Sequence, residues 1–201
     1  MCIRDRNIYE LYKDQTEADP LLRAIKSYQG VLFEEWNKET IWGAWGRNPT
    51  NTGLGNIGFY LYSRCMPPRV SEYGNGGFCP SLKLVDTYPM AKSGRYPVTG
   101  YDNNGNPVID KQSGYTNTGF TENFKQPGAS FAPGFKAHNS CVGRDARFYA
   151  SVFPNGFYWI NQYKGIKQVT FFTGGSSSYL ESGDCVKVGY MWTVSYTHLT
   201  L

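Results

Sequence analysis

The clearest periodicity lies near the start of the chain. Leu21, Ile25, Tyr28 and Leu32 recur at i, i+4, i+7 and i+11, the apolar stripe of an amphipathic helix. Asp19-Pro20 just before it supplies a capping side chain and a first-turn proline. Tyr9, Leu11 and Tyr12 mark a shorter helix upstream, so residues 7–37 are predicted helical. Such stripes must be buried against other elements. The later sequence offers few helices to receive them, which points to partners outside this chain.

Beyond this region the pattern changes. Residues 39–46 (E-T-I-W-G-A-W-G) read as a short strand. Turn residues dominate from 48 to 134, with Asn48-Pro49, Pro67-Pro68, 74–77 (G-N-G-G) and 103–107 (N-N-G-N-P) as the densest clusters. Brief strand-like or single-turn pieces sit between them, at 59–62, at 80–88 and in a hairpin pairing 96–101 with 108–110. Long irregular runs in a compact domain usually carry function. Residues 144–147 read as a helical turn, and 148–153 and 157–160 as two strands joined by Pro154-Asn155-Gly156. No internal repeat is visible.

The two ends differ from the remainder. Residues 1–6 (M-C-I-R-D-R) and 194–201 (V-S-Y-T-H-L-T-L) read as foreign, adapter-derived sequence, and are set aside from fold reasoning as a fusion scar would be. The native segment is then expected to span residues 7–193, with scaffold helices over 7–37 and a loop-rich region over 38–193.

Composition narrows the function classes. Hydrophobic residues make up 40% and charged residues 18% of 201, enough apolar content for a packed core. A net charge of +4 on 20 basic and 16 acidic residues is too mild and too mixed for a nucleic-acid binder, which concentrates its basic residues. No apolar run is long enough to form a membrane-spanning helix. Aromatics are abundant, with 16 Tyr, 12 Phe and 5 Trp. Together with the glycine and proline content they suggest aromatic surfaces carried on turn-dense connections. Cys65, Cys79, Cys141 and Cys185 form no C-x-x-C pair, so a zinc site is not expected and three disulfide connectivities stay open.

Most chemical motifs carry a stronger structural reading than a functional one. Residues 53–58 (G-L-G-N-I-G) fit G-x-G-x-x-G, but polar loop residues precede them where a dinucleotide site needs a buried strand. Residues 102–106 (D-N-N-G-N) resemble the opening of a calcium loop, yet Pro107 stands where glycine is required and Ser113 where a bidentate glutamate belongs. A hairpin turn is the simpler reading. Glu34, Glu35, Asp86, Glu122 and Asp184 show no paired arrangement for glycoside hydrolysis, and with His138 the one internal histidine no nucleophilic triad assembles. No catalytic residue, metal or cofactor is therefore expected. Arg144, Asp145 and Arg147 form the densest charge cluster, read as a structural ion pair pinning a turn. Aromatic faces stack on sugar C–H faces and also anchor cores. On that basis Trp45, Tyr60, Tyr62, Tyr101 and Trp159 are the candidate glycan-stacking residues: Trp45, Tyr101 and Trp159 lie in or beside turn-rich segments, and Tyr60 and Tyr62 share a face if 59–62 is extended.

Three segments, in order, carry a resemblance: 37–42 (N-K-E-T-I-W), 80–90 (P-S-L-K-L-V-D-T-Y-P-M) and 143–156 (G-R-D-A-R-F-Y-A-S-V-F-P-N-G). Together with the hairpin over 100–108 and the late 183–192 run, they look like the SusD/RagB family of outer-membrane nutrient-binding lipoproteins. Ala146 stands where family members typically carry proline. The resemblance implies a mainly α fold, a tetratricopeptide-type helical scaffold with a large loop-rich subdomain carrying short β-hairpins, of which this chain would be a partial piece. It further implies non-catalytic binding of oligosaccharides at the cell surface and delivery to a SusC-like TonB-dependent transporter. The membrane attachment would be a lipid anchor missing from this piece. The alternatives are a glycoside hydrolase or its accessory domain, and a surface adhesion protein.

Overall fold

The structure is a computed structural model that describes residues 17–33, 64–71, 74–161, 165–178, 186 and 189–192. Helix α1 (Pro20–Phe33) begins where the sequence places it. The Asp19 carboxylate accepts from the backbone N–H of Leu21 at 2.8 Å, satisfying a donor that the first turn leaves without an intrahelical partner. Two shorter helices follow, α2 (Leu82–Val85) and α3 (Ala146–Ser151). Eight short strands pair two by two. β1 (Val98–Tyr101) pairs with β2 (Pro107–Ile109), and β3 (Phe120–Phe124) with β4 (Phe135–His138). β5 (Val152–Pro154) pairs with β8 (Tyr190–Trp192), and β6 (Tyr158–Asn161) with β7 (Gly165–Gln168). All four pairs are antiparallel and separate from one another.

This architecture overturns the expectation of a mainly helical, tetratricopeptide-type scaffold. The described residues form three helices, two of them a turn or so long, and four strand pairs, a mixed and sheet-rich arrangement. The reason lies in the backbone. Glycines at 105, 114, 119, 128, 143 and 156 adopt positive φ, a conformation that ends helices and builds turns. Part of the α1 stripe is covered inside the chain: Ile25 is buried, Leu21 and Tyr28 pack partly buried against the core, α1 lies against α3, and Ile25 meets the turn at Gly128. The expected strand over 148–153 is also corrected. Asp145 accepts from the Arg147 N–H at 2.8 Å and caps a helix there, so the chain stays helical to Ser151. The turn at 154–156 forms, but β5 pairs with the distant β8, while β6 turns back onto β7.

The core is an aromatic network. Phe135 meets Phe124, Phe157 and Tyr158 edge-on at 5.4–5.7 Å, and Phe153 meets Phe157 and Trp159 at 6.0 and 5.6 Å, the edge-to-face geometry that ring quadrupoles favour. Gln126 extends β6 by side chain. Its Oε1 accepts from Tyr158 N at 2.7 Å, and its Nε2 donates to Tyr158 O at 3.1 Å.

Arg144 joins these parts. It is 1% exposed, and its guanidinium donates to the carbonyls of Val85 (2.6 Å), Tyr88 (2.9 Å) and Ser140 (3.2 Å). It also lies over the rings of Phe148 (4.7 Å) and Tyr115 (5.4 Å). Among the described residues no carboxylate stands within ion-pair distance of it. The expected ion pair is made by Arg147 and Asp145, at 2.8 Å and about a quarter exposed on each side, while Arg144 serves a different purpose. Its backbone bridges Met90, so the 80–90 and 143–156 segments meet here.

Replacing Arg144 with Met is expected to lower unfolding free energy by about 3 kcal/mol or more, since three buried carbonyls lose their donor. Asp145→Ala is expected to cost about 1 kcal/mol, the usual value of an N-cap. Urea unfolding of both variants checks the order; equal losses would mean that Arg144 is no more than part of the turn.

Candidate functional site

The same contacts that seat Arg144 fix the position of α2. Ser81 caps the helix by accepting from Leu84 N at 3.2 Å, and Arg144 holds the carbonyl at its end, that of Val85. Asp86 follows as the C-cap residue. Opposite α2 runs β1, whose hairpin with β2 is tightened at its tip by Asp102. The Asp102 carboxylate accepts from the N–H groups of Asn104 and Asn106 at 2.9 and 2.8 Å, and from the Asn106 side chain at 3.0 Å. Those bonds, led by the one from the Asn106 side chain, hold its pKa below the ordinary value. Residues 102–106 are thus a turn, and no group of metal-ligating side chains occurs among the described residues. At the open end of the hairpin, Arg95 and Asp110 form a 2.6 Å ion pair, which seats Tyr96 beside the strand.

Between α2 and β1 lies an open cleft of about 550 Å³. Lys83, Asp86 and Thr87 line one side; Tyr96, Val98, Thr99, Gly100 and Tyr101 line the other. Tyr96 is 53% and Tyr101 37% exposed, so both offer ring surface to solvent. The Tyr101 hydroxyl donates to Asp86 Oδ2 at 2.8 Å across the cleft, and the Lys83 ammonium stands 5.7 Å from the centre of the Tyr101 ring. Glycine at 100 leaves open space where a side chain would project.

The electrostatics are set from below. Asp86 is 6% exposed, and its burial pushes its pKa up; the Tyr101 hydrogen bond and the charge of Arg144 pull the other way. The Tyr101 pKa is raised by desolvation and by donation to Asp86. Burial draws the Arg144 pKa down, against the raising influence of Tyr115, Tyr190, Cys141 and Asp86; an arginine stays protonated even so. The site therefore sets a buried carboxylate against a phenol at the rim, with the Lys83 ammonium beside that phenol's ring. Such a set accepts and donates hydrogen bonds to neutral hydroxyls while two rings supply apolar faces.

Of the five aromatic candidates, Tyr101 is at the cleft. Trp159 is 1% exposed and packed against Phe153, so it is a core residue with no face open to a ligand. Its place in β6, next to a turn, made exposure plausible in sequence, but its ring points into the aromatic network. Trp45, Tyr60 and Tyr62 lie outside the described residues, as do the expected helix before residue 17, the strand over 39–46 and the glycine motif over 53–58. Lys83, Asp86, Thr87 and Tyr96 were not singled out as ligand contacts. The signal available for Tyr96 was its place at the mouth of the expected hairpin. For Asp86 it was a carboxylate one residue after an apolar Leu-Val pair.

The chain matches no family model, no curated protein and no solved structure. No helix among the described residues is long and apolar enough to cross a membrane.

The pH dependence of stability isolates Asp86. Its pKa is raised in the folded chain, so the folded state holds its proton more tightly than the unfolded one. Stability attributable to Asp86 is then greatest at low pH and falls as pH rises from the ordinary carboxylate value through the raised one. Glu17, Asp102 and Asp110, whose pKa values are lowered by hydrogen bonds, act in the opposite sense. The difference between the parent and Asp86→Asn removes their contribution. Across that window the parent is expected to lose stability relative to Asp86→Asn; a constant difference from pH 3 to 7 would place the Asp86 pKa at its ordinary value.

Proposed function

We propose that the chain binds carbohydrate without cleaving it, in the cleft between α2 and β1. The observation that carries this reading is the pairing of two solvent-exposed tyrosines with a short polar set on one open groove: Tyr96 and Tyr101 beside Lys83, Asp86, Thr87 and Thr99. Sugar rings present axial C–H faces to aromatic planes and equatorial hydroxyls to fixed donors and acceptors, and the two walls of the cleft together meet both needs. Among the described residues Asp86 is the one carboxylate lining the cleft. Two facing acids are required for glycoside hydrolysis, which favours binding over the hydrolase alternative.

The wider setting of the proposal comes from the SusD/RagB-like segments. Two of the three, 80–90 and 143–156, form α2, which supplies one wall of the cleft, and the Arg144 clamp that holds it; neither supplies its aromatics. In this reading a longer parent protein is held at the outer-membrane surface by a lipid anchor and passes oligosaccharides to a TonB-dependent transporter. Tyrosine stacking tolerates many sugars, so the groove sets the class of ligand and leaves its identity to the exposed side chains.

Affinity electrophoresis against a panel of soluble glycans, with chromatography of each glycan before and after incubation, tests this. Retardation by at least one glycan with no shorter product is the expected result. Tyr101→Ala and Tyr96→Ala should each weaken it about 10-fold, the equivalent of roughly 1.4 kcal/mol. Appearance of shorter saccharides would establish a hydrolase. Binding unchanged in both variants would remove the cleft from the proposal, and indifference to every soluble glycan would favour an adhesion role.

A further inference from the structure

Two half-buried free thiols, Cys65 and Cys79, lie on adjoining backbone segments ahead of α2. Phe78 N donates to Arg64 O and Gly76 N to Met66 O, both at 3.0 Å, laying residues 76–78 along 64–66. Cys65 sits between the two acceptors, and Cys79 directly follows Phe78. After Cys65 the chain turns at Pro67, whose carbonyl accepts from both Ser71 N and Ser71 Oγ. The Cys79 Sγ faces the Gly76 carbonyl at 3.6 Å. Burial raises the Cys65 thiol pKa, and the charge of Cys79 raises it further. The other described cysteine, Cys141, is 4% exposed in the core, and its thiol is pushed up to about 11 by burial, which keeps it protonated and unreactive.

We propose that Cys65 and Cys79 are a disulfide-forming pair that closes the 65–79 loop when the chain meets a disulfide oxidant. The oxidant is a low-molecular-weight disulfide such as oxidised glutathione, or a thiol–disulfide oxidoreductase. One cysteine thiolate attacks an oxidant sulfur, forming a mixed disulfide and releasing one oxidant thiolate. The second cysteine thiolate then attacks the protein sulfur of that mixed disulfide, forming the Cys65–Cys79 bond and releasing the other oxidant thiolate. Two thiols are oxidised, one oxidant disulfide is reduced to two thiols, and the two protons pass to those leaving thiolates. The bond would anchor Pro80 and Ser81, and with them the capped start of α2, to the 64–66 segment. The proposal stands independently of what the cleft binds.

Peptide mapping of the full chain decides it. The chain is equilibrated in a mixture of oxidised and reduced glutathione, blocked with iodoacetamide and digested with trypsin, which cuts after Arg64, Arg69 and Lys83. The expected product is peptide 65–69 joined to peptide 70–83, with a mass about 2 Da below the sum of the two thiol forms. It should form equally in Cys141→Ser. Reduction should lower the apparent Tm by roughly 5 °C, the effect of opening a loop of this size, and that drop should vanish in Cys65→Ser and Cys79→Ser. The proposal is overturned if Cys65 and Cys79 are recovered separately, as alkylated or glutathione-capped peptides, or joined to Cys2, Cys141 or Cys185. Mapping of the unsubstituted chain gives that answer even where a variant fails to fold.

Discussion

A guanidinium that is 1% exposed must replace the hydration it has given up, and Arg144 draws what it recovers from main-chain oxygens at its two terminal nitrogens and from aromatic faces, its Nε making no hydrogen bond. Three carbonyls from two distant stretches converge on it, and the Phe148 and Tyr115 rings stand within cation–π range. A carboxylate partner would have satisfied the charge locally. Carbonyls cannot, because each belongs to a segment that must be brought into place first. Satisfaction of this one side chain therefore requires the 3₁₀ turn at Asn139–Cys141, the end of α2 and the approach to Met90 to be formed together. Removal of any of them leaves a buried charge short of ligands, which is among the costliest defects a small core can hold.

The cleft is a by-product of that arrangement. α2 is four residues long, too short to persist through its own hydrogen bonds. It stands where it does because Ser81 caps one end and Arg144 grips the other. Asp86, emerging from the gripped end, is kept near a fixed positive charge while its oxygen reaches outward to Tyr101. The hairpin facing it is set by a different and more local device, the Arg95–Asp110 pair. A rigid wall and a semi-independent one thus face each other across the groove.

Local chemistry was readable in the sequence where local chemistry decides the outcome. The start of α1 follows from Asp19-Pro20, and the β1–β2 turn follows from an aspartate followed by Asn-Asn-Gly-Asn. Both rest on side-chain-to-backbone bonds spanning four residues or fewer. Pairing across long separations was not readable. β5 takes its partner from residues 190–192, although a turn well suited to a hairpin follows it at once. A tertiary contact overrode a local preference there. The reading of 148–153 as a strand failed for a related cause: in R-F-Y-A-S-V nearly every position is buried, so no periodicity distinguishes helix from strand, and the Asp145 cap decides. The mainly helical expectation was inherited from family likeness, while the glycines and prolines of this chain spell out turns. The aromatic content was misleading in the same way. Much of it fills the core, as Trp159 does, and the cleft draws on the tyrosines of one hairpin.

Because the four strand pairs share no hydrogen bonds with one another, a change of length in one hairpin need not propagate as a register shift through a continuous sheet. The Arg95–Asp110 pair closes the base of the β1–β2 arm, the Tyr101–Asp86 bond ties the arm to the residue after α2, and its tip is closed by Asp102. Insertions and deletions between residues 101 and 107 would alter the reach and outline of the groove while the aromatic network stayed as it is. Such an architecture separates the part of the molecule that natural selection must preserve from the part it is free to rewrite. Exchange of a short arm can then reshape the groove with no renegotiation of the interior.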